Sequence, residues 1–73
     1  MHGLINRGIQ RFVTDSYGAT KWRAVTRSAG LDFTDFEARR IYDDVVTPAV
    51  LAAVCDVLDR PYEDLTEDIG TFL

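Results

Sequence analysis

Residues 1–18 read MHGLINRGIQRFVTDSYG, and this stretch decides the fold of the chain. Its apolar side chains recur at the spacing that places them on one face of an α-helix, and they do not alternate as they would in a strand. The apolar positions are Leu4, Ile5, Ile9, Phe12 and Val13. Gly18 follows, and glycine is the residue that most readily adopts the backbone conformation that closes a helix. The stretch therefore predicts an amphipathic first helix that ends at Gly18.

A second helix is predicted from Ala19 to Ala29. Trp22 and Val25 mark its apolar face, and Gly30 is placed to end it. The residue after a glycine cap commonly folds back onto the last helical turn, and Leu31 stands at that position. Two glycines spaced in this way predict two helices joined by a tight corner.

The segment from residue 31 to residue 41 allows two interpretations. Thr34 and Glu37 have the spacing of a capping box, in which each side chain satisfies a free backbone amide of the other residue. On that interpretation a short helix runs through Arg40. The alternative is an extended linker that carries Phe33 and Phe36 into the core.

Two proline-containing sequences predict the remaining helices. Thr47 suits an N-cap and Pro48 suits the first helical position, which predicts a helix from Pro48 to Leu58. The sequence Asp-Arg-Pro at residues 59–61 then ends that helix and begins another, whose apolar face is Leu65, Ile69 and Phe72. Since no alternating strand pattern occurs, we expect an all-α fold of four to five short helices.

Composition narrows the class of protein. With 73 residues the chain forms at most one domain, and its net charge of −4 argues against nucleic-acid binding, which needs a basic surface. Its single cysteine excludes an internal disulfide and fits a reducing compartment. The N-terminus lacks the apolar core of a signal peptide, and no apolar run approaches the roughly 20 residues of a membrane span. We therefore expect a cytoplasmic location and no membrane contact.

Catalytic and metal-binding patterns are lacking in the sequence. The only histidine, His2, has no partner at a readable spacing, and together with Cys55 it is too little for a zinc site. The acidic pairs at residues 43–44 and 63–64 precede or begin predicted helices, where the helix dipole accounts for them. The residues predict a small helical binding domain that is not an enzyme and holds no metal by itself.

The chain resembles the haem–nitric oxide/oxygen binding (H-NOX) family. The resemblance begins with the opening Met-His-Gly-Leu-Ile-Asn and the spacing on to Tyr17-Gly18 and Trp22. It returns at Ile-Tyr-Asp-Asp (residues 41–44) and continues through the predicted helix that follows Thr47. It ends at Glu-Asp-Leu (63–65) and Ile69-Gly70. These blocks span nearly the whole chain without large gaps.

The resemblance implies that the chain is the N-terminal helical subdomain of a longer domain, on the distal side of the haem. In that family the distal pocket would include the positions of Ile5, Ile9 and Leu73. The family's iron-ligating histidine and its Y-x-S-x-R motif for the haem propionates have no counterpart in these residues. The resemblance therefore implies haem in the intact domain, and we expect the 73 residues alone not to bind it.

The resemblance also implies partners. These are the remainder of the protein's own chain or a signalling enzyme of the kinase or cyclase type, in bacterial signal transduction. The alternative function is a haem-less protein-interaction or dimerisation module, in which an apolar face made by residues 4–13 and 65–73 would meet another protein or a second copy of the chain. Haem content of the full-length protein distinguishes the two.

Overall fold

The computed structural model describes residues 3–37 and 41–72, and this part of the chain contains four helices and no strand. The helices are α1 (Gly3–Tyr17), α2 (Ala19–Ser28), α3 (Val46–Leu58) and α4 (Tyr62–Phe72). The prediction of an all-α fold with four to five short helices is confirmed. None of the four combines the length and the hydrophobicity that crossing a bilayer requires.

Two glycines make the corners on either side of α2, as predicted. Gly18 has a φ of 99° and separates α1 from α2. Gly30 has a φ of 76°, and its amide donates to the Arg27 carbonyl at 3.2 Å. The Leu31 amide donates to the Thr26 carbonyl at 2.9 Å, which completes the pair of bonds of a Schellman motif.

The segment after α2 is the linker, not the short helix, over residues 31–37. Residues 38–40 of the alternative helix lie outside the described residues. Gln10 of α1 holds the linker in place, because its side chain accepts from the Phe36 amide and donates to Asp35 Oδ1, both at 2.8 Å. The Trp22 indole also donates to the Thr34 carbonyl. Phe36 is thereby fixed in the core with 1% of its surface exposed.

The core draws on all four helices and on the linker. Its buried apolar members are Ile9, Phe12, Val13, Trp22, Val25, Phe36, Tyr42, Val50, Ala53, Val54, Leu65 and Ile69. This list corrects the expectation of an exposed apolar face over residues 4–13 and 65–73. Most apolar side chains described in those two ranges are covered by the chain itself, because α1 and α4 turn them inward against α2 and α3.

The start of α3 differs from the prediction. The helix begins at Val46, so Thr47 is an internal residue of the first turn and caps nothing. Its hydroxyl donates instead to the side chain of Asn6 in α1, and Thr47 is 4% exposed. The N-cap prediction was wrong because a tertiary partner, which local sequence does not reveal, competes for the hydroxyl. Pro48 still lies in the first turn, where its missing amide proton is not needed.

The joint between α3 and α4 is the predicted break. Asp59 adopts a left-handed conformation with a φ of 53°, and the Arg60 amide donates to the Cys55 carbonyl at 3.1 Å. Aspartate tolerates this conformation better than most residues do. The Leu65 amide donates to the Pro61 carbonyl at 3.1 Å as α4 begins.

Candidate functional site

Exposed apolar side chains occur where α1 begins and along the approach to α3. Ile5 is 47% exposed, Val45 is 71% exposed and Ile41 is 77% exposed. We call these three residues the apolar edge. Ile5 directly precedes Asn6, and Val45 lies two residues before Thr47, so the Asn6–Thr47 hydrogen bond ties the two segments together. Exposed aliphatic side chains of this size are the ones that a ligand or another part of a protein can cover.

The three residues that the family resemblance assigns to the distal pocket have different environments. Ile5 is accessible on the apolar edge, whereas Ile9, one turn further along α1, is 2% exposed and belongs to the core. Leu73 lies outside the described residues. Of the two described residues, Ile5 is therefore the side chain that a ligand can reach without any rearrangement of the core.

Groups suited to ligating a metal are sparse in the described part of the chain. No cluster of three or more histidine, cysteine, aspartate or glutamate side chains occurs among residues 3–37 and 41–72. Cys55 is half-buried on α3, and His2 lies outside the described residues. A haem needs an axial ligand on one side of the iron and an apolar surface around the ring. Ile5 supplies exposed apolar surface, and no histidine that could serve as an axial ligand lies within residues 3–37 or 41–72.

A second surface feature lies between the end of α1 and α4. A groove of about 450 Å³ is lined there by Phe12, Ser16, Tyr17, Asp68, Thr71 and Phe72. The Arg60 guanidinium donates to Tyr17 Oη at 2.8 Å and forms an ion pair with Asp68 at 2.6 Å. It therefore links two residues that line the groove. The hydrogen bonds to Tyr17 and Asp68 raise the pKa of Arg60, which stays charged. Three of the six lining residues are aromatic and three are polar or charged, so the groove has a mixed surface.

The chain matches the profile of a known protein family. The profile of a family described as haem-NO-binding covers residues 2–73. The chain belongs to the haem-NO-binding family. No curated protein matches it. The resemblance drawn from the opening residues and from the Ile-Tyr-Asp-Asp block is thus confirmed.

Family membership gives the coarse function. Haem-NO-binding domains are haem-based sensors of nitric oxide or oxygen and form parts of larger signalling proteins, so haem is the cofactor of the family. The family is therefore defined by binding a gas, and catalysis is not part of its sensor role.

Sequence reasoning missed one residue near this site. Asn6 is fully buried on the face of α1 that otherwise carries apolar side chains, next to Ile5. A polar residue inside an apolar stripe is itself a signal, because burying an amide is costly without a partner. That partner, Thr47, is 41 residues away in sequence, and no local pattern indicates the pairing.

Proposed function

We propose that this chain is the N-terminal helical subdomain of a haem-based nitric oxide or oxygen sensor in bacterial signal transduction, and that it forms the distal side of the haem site. The family match over residues 2–73 carries the proposal. The proposal includes a longer domain, whose remaining part supplies the iron ligand and the contacts to the propionates.

The environment of Ile5 supports the distal assignment. An aliphatic side chain that is 47% exposed gains free energy when a flat apolar ring covers it. We assign Ile9 and Leu73 to the same wall from the resemblance. Ile9, at 2% exposure, then lies behind Ile5 and supports it from the core.

The wall would act by excluding water and by offering the bound gas no hydrogen bond. Haem, when bound, supplies the iron that binds the gas. Neither Ile5 nor Ile9 has a polar hydrogen to donate. Contact with Ile5 would couple the region around the iron to the position of α1, so that displacement of this helix passes the signal to a kinase or cyclase type of partner.

The test of this proposal is haem binding by two proteins. The full-length gene product should take up haem at one equivalent and show a sharp Soret band. The 73-residue chain with added hemin should show only the broad absorbance of loosely associated haem, because the described residues include no histidine to ligate the iron. A sharp Soret band at stoichiometric loading of the short chain would contradict the second expectation, and a full-length product without haem would contradict the first.

The alternative, a haem-less interaction module, has its own support in the apolar edge. Ile5, Ile41 and Val45 could meet a protein surface instead of a ring. Absence of haem from the full-length protein, together with a stable complex with a signalling enzyme, would favour this function. A cytoplasmic location belongs to both proposals and is supported by the free thiol of Cys55.

A further inference from the structure

We propose that the buried hydrogen bond between Asn6 and Thr47 is a positioning contact that fixes Ile5 against the haem. The inference rests on the proposed function. The Thr47 hydroxyl donates to Asn6 Oδ1 and joins α1 to α3. Asn6 is fully buried and Thr47 is 4% exposed, so water does not compete for the bond.

Stability alone does not account for this pair. The amide of Asn6 has an oxygen and an NH₂ group, whereas Thr47 offers a single hydroxyl, so one end of the amide stays unmatched. Nδ2 of Asn6 has no hydrogen-bond partner among the described residues. A buried unpaired donor destabilises a fold, whereas apolar side chains of the same shape often leave stability unchanged or raise it. The pair therefore calls for a role other than stabilising the core.

The location of the Asn6–Thr47 pair indicates that it positions Ile5. Asn6 is the next residue after Ile5, and Thr47 lies in the first turn of α3. Within residues 3–9 of α1, the other described tertiary hydrogen bond runs from the exposed Arg7 side chain to the Phe36 carbonyl at 3.4 Å, and the two bonds of Gln10 to the linker lie further along the helix. A bond of that length on an exposed side chain is weak. Within the described part of the chain, the Asn6–Thr47 bond is thus the main polar restraint on the turn of α1 that carries Ile5.

The deciding experiment uses the full-length haem-loaded protein and the double variant Asn6→Leu/Thr47→Val. Because both polar partners are replaced by apolar groups of similar shape, the variant should fold, bind haem and melt at or above the wild-type temperature. Its rate constant for carbon monoxide association should nevertheless change by about twofold to thirtyfold, the range of residues that act through another residue. Ile5→Ala should change the rate in the same direction. Amide hydrogen exchange at residues 7–10 should become faster.

A matched control separates positioning from packing. Val50→Ala removes fully buried apolar volume from α3 and should lower the melting temperature while the carbon monoxide rate stays at the wild-type value. If the double variant does not fold, Thr47→Val and Thr47→Ser decide the matter. The serine variant keeps the hydroxyl and should retain the wild-type rate, whereas the valine variant should not.

The outcomes are distinct. A full-length wild-type protein that holds no haem overturns the proposed function and this inference with it. A wild-type protein that holds haem, with unchanged carbon monoxide rates and unchanged amide exchange in the double variant, overturns the inference alone. Equal rates in Thr47→Val and Thr47→Ser would also overturn it.

Discussion

At the scale of single residues, Trp22 connects α2 to the linker. Its side chain is 3% exposed, its ring packs against Phe36 with centroids 6.1 Å apart, and its indole donates to the Thr34 carbonyl. Phe36 in turn packs against Phe33 and Tyr42, so Trp22 joins α2 to a cluster of aromatic rings in the core. Its contribution combines apolar burial with a hydrogen bond that only tryptophan can make at that position.

Trp22→Ala should therefore be among the most damaging substitutions in the chain. Loss of a buried large aromatic side chain costs about 3–5 kcal/mol, a large part of the stability of so small a domain. Urea unfolding followed by circular dichroism measures the effect, with the exposed neighbour Lys21→Ala as the control. Trp22→Phe, which keeps a ring but loses the indole donor, should cost clearly less. A free energy of unfolding unchanged in Trp22→Ala would show that the side chain is not in the core.

At the scale of elements, the helix ends are set by backbone conformation more than by side-chain caps. The N-cap of α2 is Gly18, which has no side chain, and the apolar side chain of Val45 at the N-cap of α3 makes no hydrogen bond. Gly30 stops α2 through a positive φ, and Asp59 does the same for α3. The stability of these corners therefore depends on residues that tolerate the left-handed backbone conformation.

Two glycines of this chain give a matched pair of substitutions. Gly30→Ala should destabilise by about 1–2 kcal/mol, because alanine is strained at a φ of 76° even though no atom blocks the added methyl group. Gly70→Ala should instead stabilise by up to about 1 kcal/mol, since Gly70 lies within α4 and a methyl group there meets open space.

Thermal unfolding of both glycine variants against the parent protein measures the difference. The two substitutions add the same methyl group, so opposite signs isolate the backbone conformation as the cause. A Gly30→Ala protein as stable as the parent would show that the corner after α2 does not need a positive φ.

At the scale of the whole molecule, the fold buries most of the large apolar side chains of the described residues and leaves the apolar edge exposed, together with Tyr17, Tyr62 and Phe72. Ile9 and Leu65 are buried by other helices, whereas Ile5, Ile41 and Val45 are not. A haem-NO-binding domain that covers this edge would place an aliphatic surface near the bound gas, with Ile5 in front.

An aliphatic distal surface predicts which gas the full-length protein retains. Bound oxygen carries partial negative charge and gains from a hydrogen-bond donor, which Ile5 and Ile9 cannot provide. We expect the full-length haem protein to prefer nitric oxide over oxygen and to form no oxygen complex that is stable in air. Absorbance spectra after exposure to each gas make the comparison, and an oxygen complex that persists for minutes in air would contradict the expectation.

The sequence by itself determined the helical class, the two glycine corners and the break at residues 59–61, because periodicity and backbone preference are local properties. The sequence also indicated the family, through blocks of residues spread along the chain. The family match confirms that resemblance. The sequence did not decide the structure of residues 31–37. These residues contain both the Thr34–Glu37 spacing of a capping box and two phenylalanines suited to a buried linker.

Only the tertiary structure decided where Thr47 directs its hydroxyl, that Asn6 is buried, and that Ile5 and Ile9 have different exposures. The Asn6–Thr47 pair depends on contact between α1 and α3, two segments about 40 residues apart in the chain. Helical periodicity places a side chain on a face, but the neighbour that covers that face is chosen by packing between distant segments.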